Sequence, residues 1–265
     1  MLITSPSNPA VKQIRGLHER KERERTGLFF IEGIRLVVEA AQLGADIRTL
    51  VVAPALLKSD AAWATVESLR QRGVRCLEVS PEVFVGLSHK AGPQGIGAVM
   101  GQRWESLEEV RLVDDRCWVA LDEPQDPGNI GTILRTADAT GCAGVILAGH
   151  TADPYDPSAL RASMGAVLSQ RLVKASFPLF MTWKQRNQYT VVGTSGQAEQ
   201  DYRAETYRFP LILLMGSERQ GLTHEQQAAC DVVVKIPMVG RSDSLNLAVA
   251  TGVMLYELLA QRHRH

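Results

Sequence analysis

Apolar and polar positions follow two rhythms along this chain. After Gly27, the residues Leu28, Phe29, Phe30 and Ile31 form a short continuous apolar run, Gly33 interrupts it, and Leu36, Val37, Ala40 and Ala41 then recur at helical spacing up to Gly44. This predicts a strand, a turn and a helix closed by glycine. The same reading predicts a strand at 49–52, a helix at 61–72 ending at Gly73, and a strand at 74–79. Residues 91–97, rich in Gly and Pro, form a turn before another short strand, and residues 103–115 are charged and weakly patterned, which places a domain boundary near residue 110. Beyond it, apolar strands are expected at 117–121, 144–147, 190–193, 211–215 and 232–236, and helices at 132–139, 158–168, 224–230 and 244–261. Short, nearly continuous apolar strands alternating with helices predict an α/β fold whose parallel sheet is covered on both faces.

Composition excludes several classes. The 265 residues are 45% hydrophobic and 22% charged, which rules out a disordered chain and allows one large or two modest domains. The longest apolar runs, such as Leu211 to Met215 and Val232 to Val234, fall far below the eighteen or so residues of a membrane span. Residues 1–10 lack the basic start and apolar core of a secretory signal, so a cytoplasmic protein is expected. Cys76, Cys117, Cys142 and Cys230 stand far apart and read as structural thiols; His89, His150 and His224 are too dispersed for zinc, and no metal is expected.

Charge changes the picture once it is divided. The 29 Lys+Arg balance 29 Asp+Glu, but residues 1–105 hold 14 against 11 and the remainder 15 against 18, so a net +3 faces a net −3. The front excess includes Lys12, Arg15, Arg20, Lys21, Arg23 and Arg25, interleaved with Glu19, Glu22 and Glu24. Of these, Lys12, Arg20, Lys21 and Arg23 are candidate RNA contacts, and equally the whole stretch could be a solvated helix face laced with ion pairs.

In a parallel sheet, ligands gather at the carboxyl ends of the strands. Three loops there carry candidate chemistry. The first is Asp126-Pro127-Gly128-Asn129-Ile130-Gly131, with Arg135 a helical turn beyond; it is neither a dinucleotide fingerprint nor a Lys-bearing phosphate loop, and a plain turn with a surface arginine explains it alone. The second is Gly216-Ser217-Glu218-Arg219-Gln220-Gly221-Leu222-Thr223, where two glycines bracket a carboxylate, or where Thr223 simply caps a helix. In the third, Pro237 ends a strand, Gly240 turns the chain, and Ser242-Asp243-Ser244-Leu245-Asn246 crowd a helix start with more polar side chains than capping needs.

Asn129-Ile130-Gly131-Thr132-Ile133-Leu134-Arg135-Thr136-Ala137, Gly216-Ser217-Glu218-Arg219-Gln220-Gly221-Leu222 and Ile236-Pro237-Met238 through Ser244-Leu245-Asn246 together resemble the three ordered motifs of the SpoU (TrmH) family of SPOUT-class RNA 2′-O-ribose methyltransferases. Phe29 to Gly33 additionally resembles the substrate-binding domain of rRNA-acting members. The resemblance implies an RNA-binding domain over 1–105, a linker over 106–115 and a methyltransferase domain over 116–265, the last with a deep trefoil knot and dimerised through it. It places S-adenosylmethionine among Thr194, Gly196, Leu214, Gly216, Ile236, Met238 and Leu245, mainly on backbone groups. The catalytic set it implies is Asn129, Arg135, Glu218, Ser244 and Asn246, with Arg161, in the stretch Arg161-Ala162-Ser163-Met164-Gly165-Ala166, reaching a partner subunit's RNA site. One departure is Ala248, where many relatives carry Ser.

Transfer of a methyl group to a ribose hydroxyl is an in-line displacement whose difficulty lies in the nucleophile, which is barely ionised near neutral pH. A guanidinium in a protein stays charged, so Arg135 suits an electrostatic clamp on phosphate and developing alkoxide better than a general base. The expected function is 2′-O-methylation of rRNA, with 23S rRNA and guanosine favoured. The alternatives are a tRNA 2′-O-methyltransferase, a non-catalytic RNA-binding ribosome-assembly factor and, more remotely, a nicotinamide-dependent oxidoreductase, whose glycine fingerprint is missing.

Overall fold

The computed structural model describes residues 2–112 and 115–263. Met1, Val113 and Asp114 of the expected linker, and Arg264 and His265 at the end of the expected second domain, lie outside the described residues. The chain divides into two compact units: residues 2–102 with Tyr155–Leu168, and Arg103–Pro154 with 169–263.

The first unit opens with α1 (Pro9–Gly16), capped by the Asn8 side chain, and α2 (Arg20–Thr26). There follow β1 (Leu28–Glu32), α3 (Ile34–Gln42), β2 (Ile47–Val52), α4 (Asp60–Gln71), β3 (Arg75–Glu78), α5 (Pro81–Val85) and β4 (Ile96–Gly101). The sheet order is β1-β4-β2-β3, with β4 antiparallel to both neighbours and β2 parallel to β3. Val11 and Ile14 of α1, Phe30, Val51, Leu77, Val83 and Phe84 share one core.

The basic stretch at the front is divided in its roles. Arg20 pairs with Glu24 and Arg25 with Glu22 on the solvent side, as a salt-bridged helix face requires. Arg23 is different: it is 1% exposed, donates to the carbonyls of Leu17 (2.9 Å) and His18 (2.7 Å), and pairs with Asp156 at 3.1 Å. The expectation that Arg23 contacts RNA is therefore corrected, because its guanidinium, 1% exposed, is consumed by acceptors within its own unit. Lys12 and Lys21 are exposed.

The second unit contains β5 (Cys117–Asp122), α6 (Pro127–Ala139) and β6 (Gly144–Ala148). The segment α7 (Pro157–Ser163) belongs to the first unit, and the short α8 (Ala166–Ser169) spans the division. After it come β7 (Leu172–Ala175), α9 (Phe177–Asn187), β8 (Thr190–Thr194), β9 (Gln200–Asp201), β10 (Leu211–Met215), α10 (His224–Ala228), β11 (Val232–Lys235) and α11 (Leu247–Arg262). Seven strands pair in the order β7-β6-β5-β10-β8-β11-β9, all parallel. The apolar runs of β5, β6 and β10 are buried throughout, as strands covered on both faces must be.

Three expected helices shift, and two elements come in addition. The helix expected at 158–168 breaks at Met164 (φ 52°) and Gly165 (φ 105°), where a Cβ at Gly165 would also strike the Glu39 carboxylate. The helix expected from 132 begins at Pro127 under an Asp126 cap, and the one expected from 244 begins at Leu247 under an Asn246 cap. The strand β7 and the helix α9 were not anticipated. The first is four residues long and includes an exposed lysine, while α9 buries Phe180 and Trp183 with Phe177 and Met181 packed partly buried beside them, and its second half, Lys184 to Asn187, is polar.

Candidate active site

Because all seven strands of the second unit run the same way, the loops after β5, β8, β10 and β11 leave the sheet from one edge. The loop after β5 is tightly built. Glu123 takes a left-handed conformation (φ 49°), and the Gln125 amide donates to the carbonyls of Glu123 (2.8 Å) and His150 (3.0 Å). Asp126 then caps α6 through the Gly128 N–H at 2.7 Å. Asn129 consequently lies in the first turn of a helix, 8% exposed, facing inward.

Glu218 joins this loop to the one after β10. Its carboxylate accepts from the Gln125 N–H at 3.0 Å, the Asp126 N–H at 3.2 Å and the Asn129 Nδ2 at 3.1 Å. Partial burial pushes its acidity the other way, yet the N–H of Gln125, the Asn129 amide and the Asp126 N–H hold the carboxyl below its ordinary value. On its other side, the Asn129 Oδ1 accepts from Asn246 Nδ2 at 2.9 Å, and Asn246 Oδ1 accepts from the Ala248 and Val249 N–H groups that start α11. Three loops, with 89 positions between Asn129 and Glu218 and 117 between Asn129 and Asn246, are thus tied by one chain of hydrogen bonds, Glu218 to Asn129 to Asn246.

Amide orientation follows from chemistry. An ionised carboxylate only accepts, so Asn129 must present its nitrogen to Glu218 and its oxygen to Asn246. The cap at α11 requires the oxygen of Asn246 and leaves its nitrogen for Asn129. Each assignment enforces the next.

Arg135 is exposed on α6 and has no hydrogen bond or ion pair with any described residue, so its guanidinium is available to a bound anion. Glu218 does not bond to it. Ser244 is exposed and, among the described residues, bonds only to the neighbouring Asp243 at 3.4 Å, outside the Glu218–Asn129–Asn246 chain. Arg161 stands exposed on α7 in the first unit.

The expected cofactor residues occupy the same edge. Thr194 ends β8, Leu214 and Met215 end β10, and Gly216 begins the next loop. A Cβ on Gly216 would collide with the backbone of Gly221 and Leu222, so this loop crosses itself with no room for a side chain. Leu214 is fully buried in the core, so only its backbone faces neighbouring strands. Gly196 is exposed with open space around it. Met238, Val239 and Leu245 are exposed large apolar side chains in the loop after β11, with Ile236 half-buried beside them. Backbone groups at a glycine cradle beside unburied apolar side chains fit S-adenosylmethionine, whose adenine needs apolar cover and backbone hydrogen bonds.

Sequence reasoning missed the supporting residues. Gln125 closes the first loop, and Gln226, on α10, donates to Asp122 at 2.6 Å. Burial pushes the Asp122 carboxyl up, against the Gln226 hydrogen bond, with Glu123 adding to the rise. Gln226 stands in a Thr-x-x-Gln capping box with Thr223, a pattern that signals a helix start, but its bond to Asp122 and the role of Gln125 show only through partners distant in sequence. Among the described residues no cluster of metal-ligating side chains occurs and no helix is long and apolar enough to cross a membrane.

Residues 116–256 match the SpoU rRNA Methylase family, over more than half of the chain. The chain belongs to that family. Residues 8–98 match the MRM3-like substrate binding domain. Among SpoU relatives, the 23S rRNA uridine 2′-O-methyltransferase of Streptomyces viridochromogenes is 34% identical over 93% of this chain and 87% of its own length. The 23S rRNA guanosine 2′-O-methyltransferase RlmP of Bacillus subtilis is 31% identical over 97% of this chain and 98% of its own. A crystal structure of an AdoMet-bound rRNA methyltransferase from Sinorhizobium meliloti superposes with a TM-score of 0.91 at 38% identity, covering 99% of this chain and 98% of that one. The two-part α/β architecture, a substrate-binding domain followed by a SpoU domain, is shared with these structures.

Proposed function

We propose that this protein is an S-adenosylmethionine-dependent rRNA 2′-O-ribose methyltransferase acting in the cytoplasm on 23S rRNA. The observation that carries the reading is the Glu218–Asn129–Asn246 chain, which ties together three loops in a SpoU family member. S-adenosylmethionine supplies an electrophilic methyl on a sulfonium that leaves as a neutral thioether. The protein's task is then to hold a ribose 2′-hydroxyl in line and to favour its developing negative charge. Arg135, exposed and uncommitted among the described residues, clamps the adjacent phosphate and stabilises that charge. Asn129 and Glu218 brace the loop from which α6 carries it; Asn246 anchors the third loop, and Ser244 lines it. Thr194, Gly196, Leu214, Gly216, Ile236, Met238 and Leu245 form the cofactor cradle.

Residues 1–105 recognise RNA, aided by exposed Lys12 and Lys21, with Arg20 at their side and Arg161 on α7; residues 116–265 catalyse. Guanosine is the proposed nucleoside, in line with the RlmP relative, against the uridine for which the Streptomyces relative is named. The catalytic unit is a homodimer with a trefoil knot. In support, β10 inserts between β5 and β8 although it follows both in sequence, and α11 leaves Val249 (52% exposed) and Tyr256 (56%) on one uncovered face.

The test is transfer of labelled methyl from S-adenosylmethionine to rRNA and to tRNA from a strain deleted for the gene, followed by nucleoside analysis. 2′-O-methylguanosine in 23S rRNA is expected. A 2′-O-methylated tRNA nucleoside alone would redirect the substrate, and no methylated product from either RNA would overturn the reading.

A further inference from the structure

The first unit contains a cleft of about 150 Å³ that the transfer chemistry does not use. Phe30, Leu36, Tyr155 and Leu160 supply its apolar lining. His18 and His89 add two imidazoles whose ring centres are 4.0 Å apart, inclined at 49°. Arg35, Lys90 and Arg161 complete it, all three exposed.

The charges in this cleft are unequal. Its one carboxylate, Glu32, is already engaged by the Ser88 hydroxyl and by the His89 N–H at 2.9 Å, while Lys90 Nζ rests on the Glu32 carbonyl at 3.0 Å. Burial and the neighbouring His89 push His18 down to about 4, so its ring is neutral near pH 7. Hydrogen bonding to the Leu87 carbonyl leaves the His18 Nε2, sealed from solvent, without a partner among the described residues. That is an unsatisfied acceptor, and a ligand N–H that reached it would recover the cost of burying it.

Flat aromatic and apolar walls, an imidazole acceptor and several cations match the groups by which proteins hold a splayed-out RNA base and its phosphate. The volume falls well short of the roughly 300–1,000 Å³ of sites for larger ligands and suits a single planar ring system. We propose that this cleft receives one unpaired nucleotide of the substrate RNA, its base enclosed by Phe30, Leu36, Tyr155 and the two histidines, and its phosphate held by Arg35, Lys90 and Arg161. The nucleotide is a recognition element distinct from the methylated one. The proposal rests on the RNA-methyltransferase reading for the identity of the RNA.

The experiment compares the full-length protein with two kinds of variant, using unmodified 23S rRNA transcript. Leu36→Trp and, at the exposed edge, Met164→Trp fill the cleft without changing charge; Arg35→Ala with Lys90→Ala empties it of two cations. An unchanged thermal melt reports that the first unit of each variant is folded, and retained S-adenosylmethionine affinity reports the same of the second. The filled variants are expected to bind the transcript at least tenfold more weakly with an unchanged salt dependence, whereas the double alanine variant also loses about 0.7 from the log–log salt slope per phosphate contact removed. Transcript carrying 4-thiouridine is expected to crosslink to peptides containing His18, His89 or Tyr155.

Wild-type affinity in both filled variants, or crosslinks that avoid these peptides, would overturn the proposal. So would tight binding of free AMP, GMP, CMP or UMP with transcript binding indifferent to the variants, since the ligand would then be a free nucleotide. If the wild type methylates RNA while the filled variants bind normally, only the cleft inference fails. If the wild type transfers no methyl yet the variants lose RNA, the enzymatic reading fails and the cleft stands.

Discussion

Asn129 spends both ends of one amide on two other loops, which makes it the residue most sensitive to isosteric change. Asn129→Asp places a carboxylate oxygen against Glu218 at about the same 3.1 Å and turns a hydrogen bond into a repulsion. Methyl transfer is expected to fall by roughly two orders of magnitude in single-turnover assays, with partial recovery in the Asn129→Asp, Glu218→Gln double variant, a pattern simple unfolding would not produce. Arg135→Ala is expected to lose roughly 10²–10³ in the transfer rate while S-adenosylmethionine affinity holds, and Arg135→Lys to recover little, because an ammonium cannot reproduce the fork. Acid sensitivity follows from Glu218. Its folded carboxyl is held below the ordinary 4.5, so the stability it contributes is present above that value and is lost as pH falls through the depressed one. The acid limb of a pH–stability curve is expected to flatten in Glu218→Gln; an unchanged limb would mean that the hydrogen bonds to Gln125, Asp126 and Asn129 are worth nothing in solution. At this scale the residue types were readable from the chain, since Asn129, Glu218 and Asn246 stand in recognisable motifs. Their partners were not, because Glu218 and Asn129 are 89 positions apart and Asn246 a further 28 beyond Glu218.

Strands and helices place these residues with little tolerance. The loop after β10 closes so tightly that Gly216→Ala forces backbone against backbone, and loss of S-adenosylmethionine binding by calorimetry is the expected outcome even if the protein still folds. Gly144, at the start of β6, meets a different obstacle: a Cβ there would lie 2.5 Å from the Trp118 ring, so Gly144→Ala overpacks the sheet and is expected to cost about 1–3 kcal/mol in denaturant melts. The buried strands β5, β6, β10 and β8 were legible because continuous apolar runs have few other uses in a short segment. Helix starts were not, since Pro127, Gly128 and Gly131 read as a turn although Pro suits the first helical position and Gly131 packs inside the helix. Met164 and Gly165 hide a break within an apolar-periodic stretch for the opposite reason: periodicity records which side is buried and says nothing of a reversal in φ.

For the whole molecule, the proposed dimer makes a direct prediction. Val249→Glu with Tyr256→Glu places two charges on the uncovered face of α11 and is expected to shift sedimentation from dimer to monomer, with loss of methyl transfer; a wild-type monomer in the same measurement would remove the premise. The sequence by itself determined the α/β class, because parallel strands need continuous apolar runs, and its three candidate loops pointed to the family through the motifs they resemble. Its net charge of zero, formed from +3 over residues 1–105 and −3 over the rest, said only that a basic front was available for RNA. Which of those cations face outward was decided by the tertiary structure: Arg23 turns inward to Asp156, a residue from a segment 133 positions away that packs with the first unit. The cleft shared by Phe30, His89 and Tyr155, and the bond from Asn246 to Asn129, exist only once such distant segments meet. A local pattern records how each residue suits its own element, whereas burial, ion pairing and hydrogen-bond satisfaction depend on what the fold brings against it.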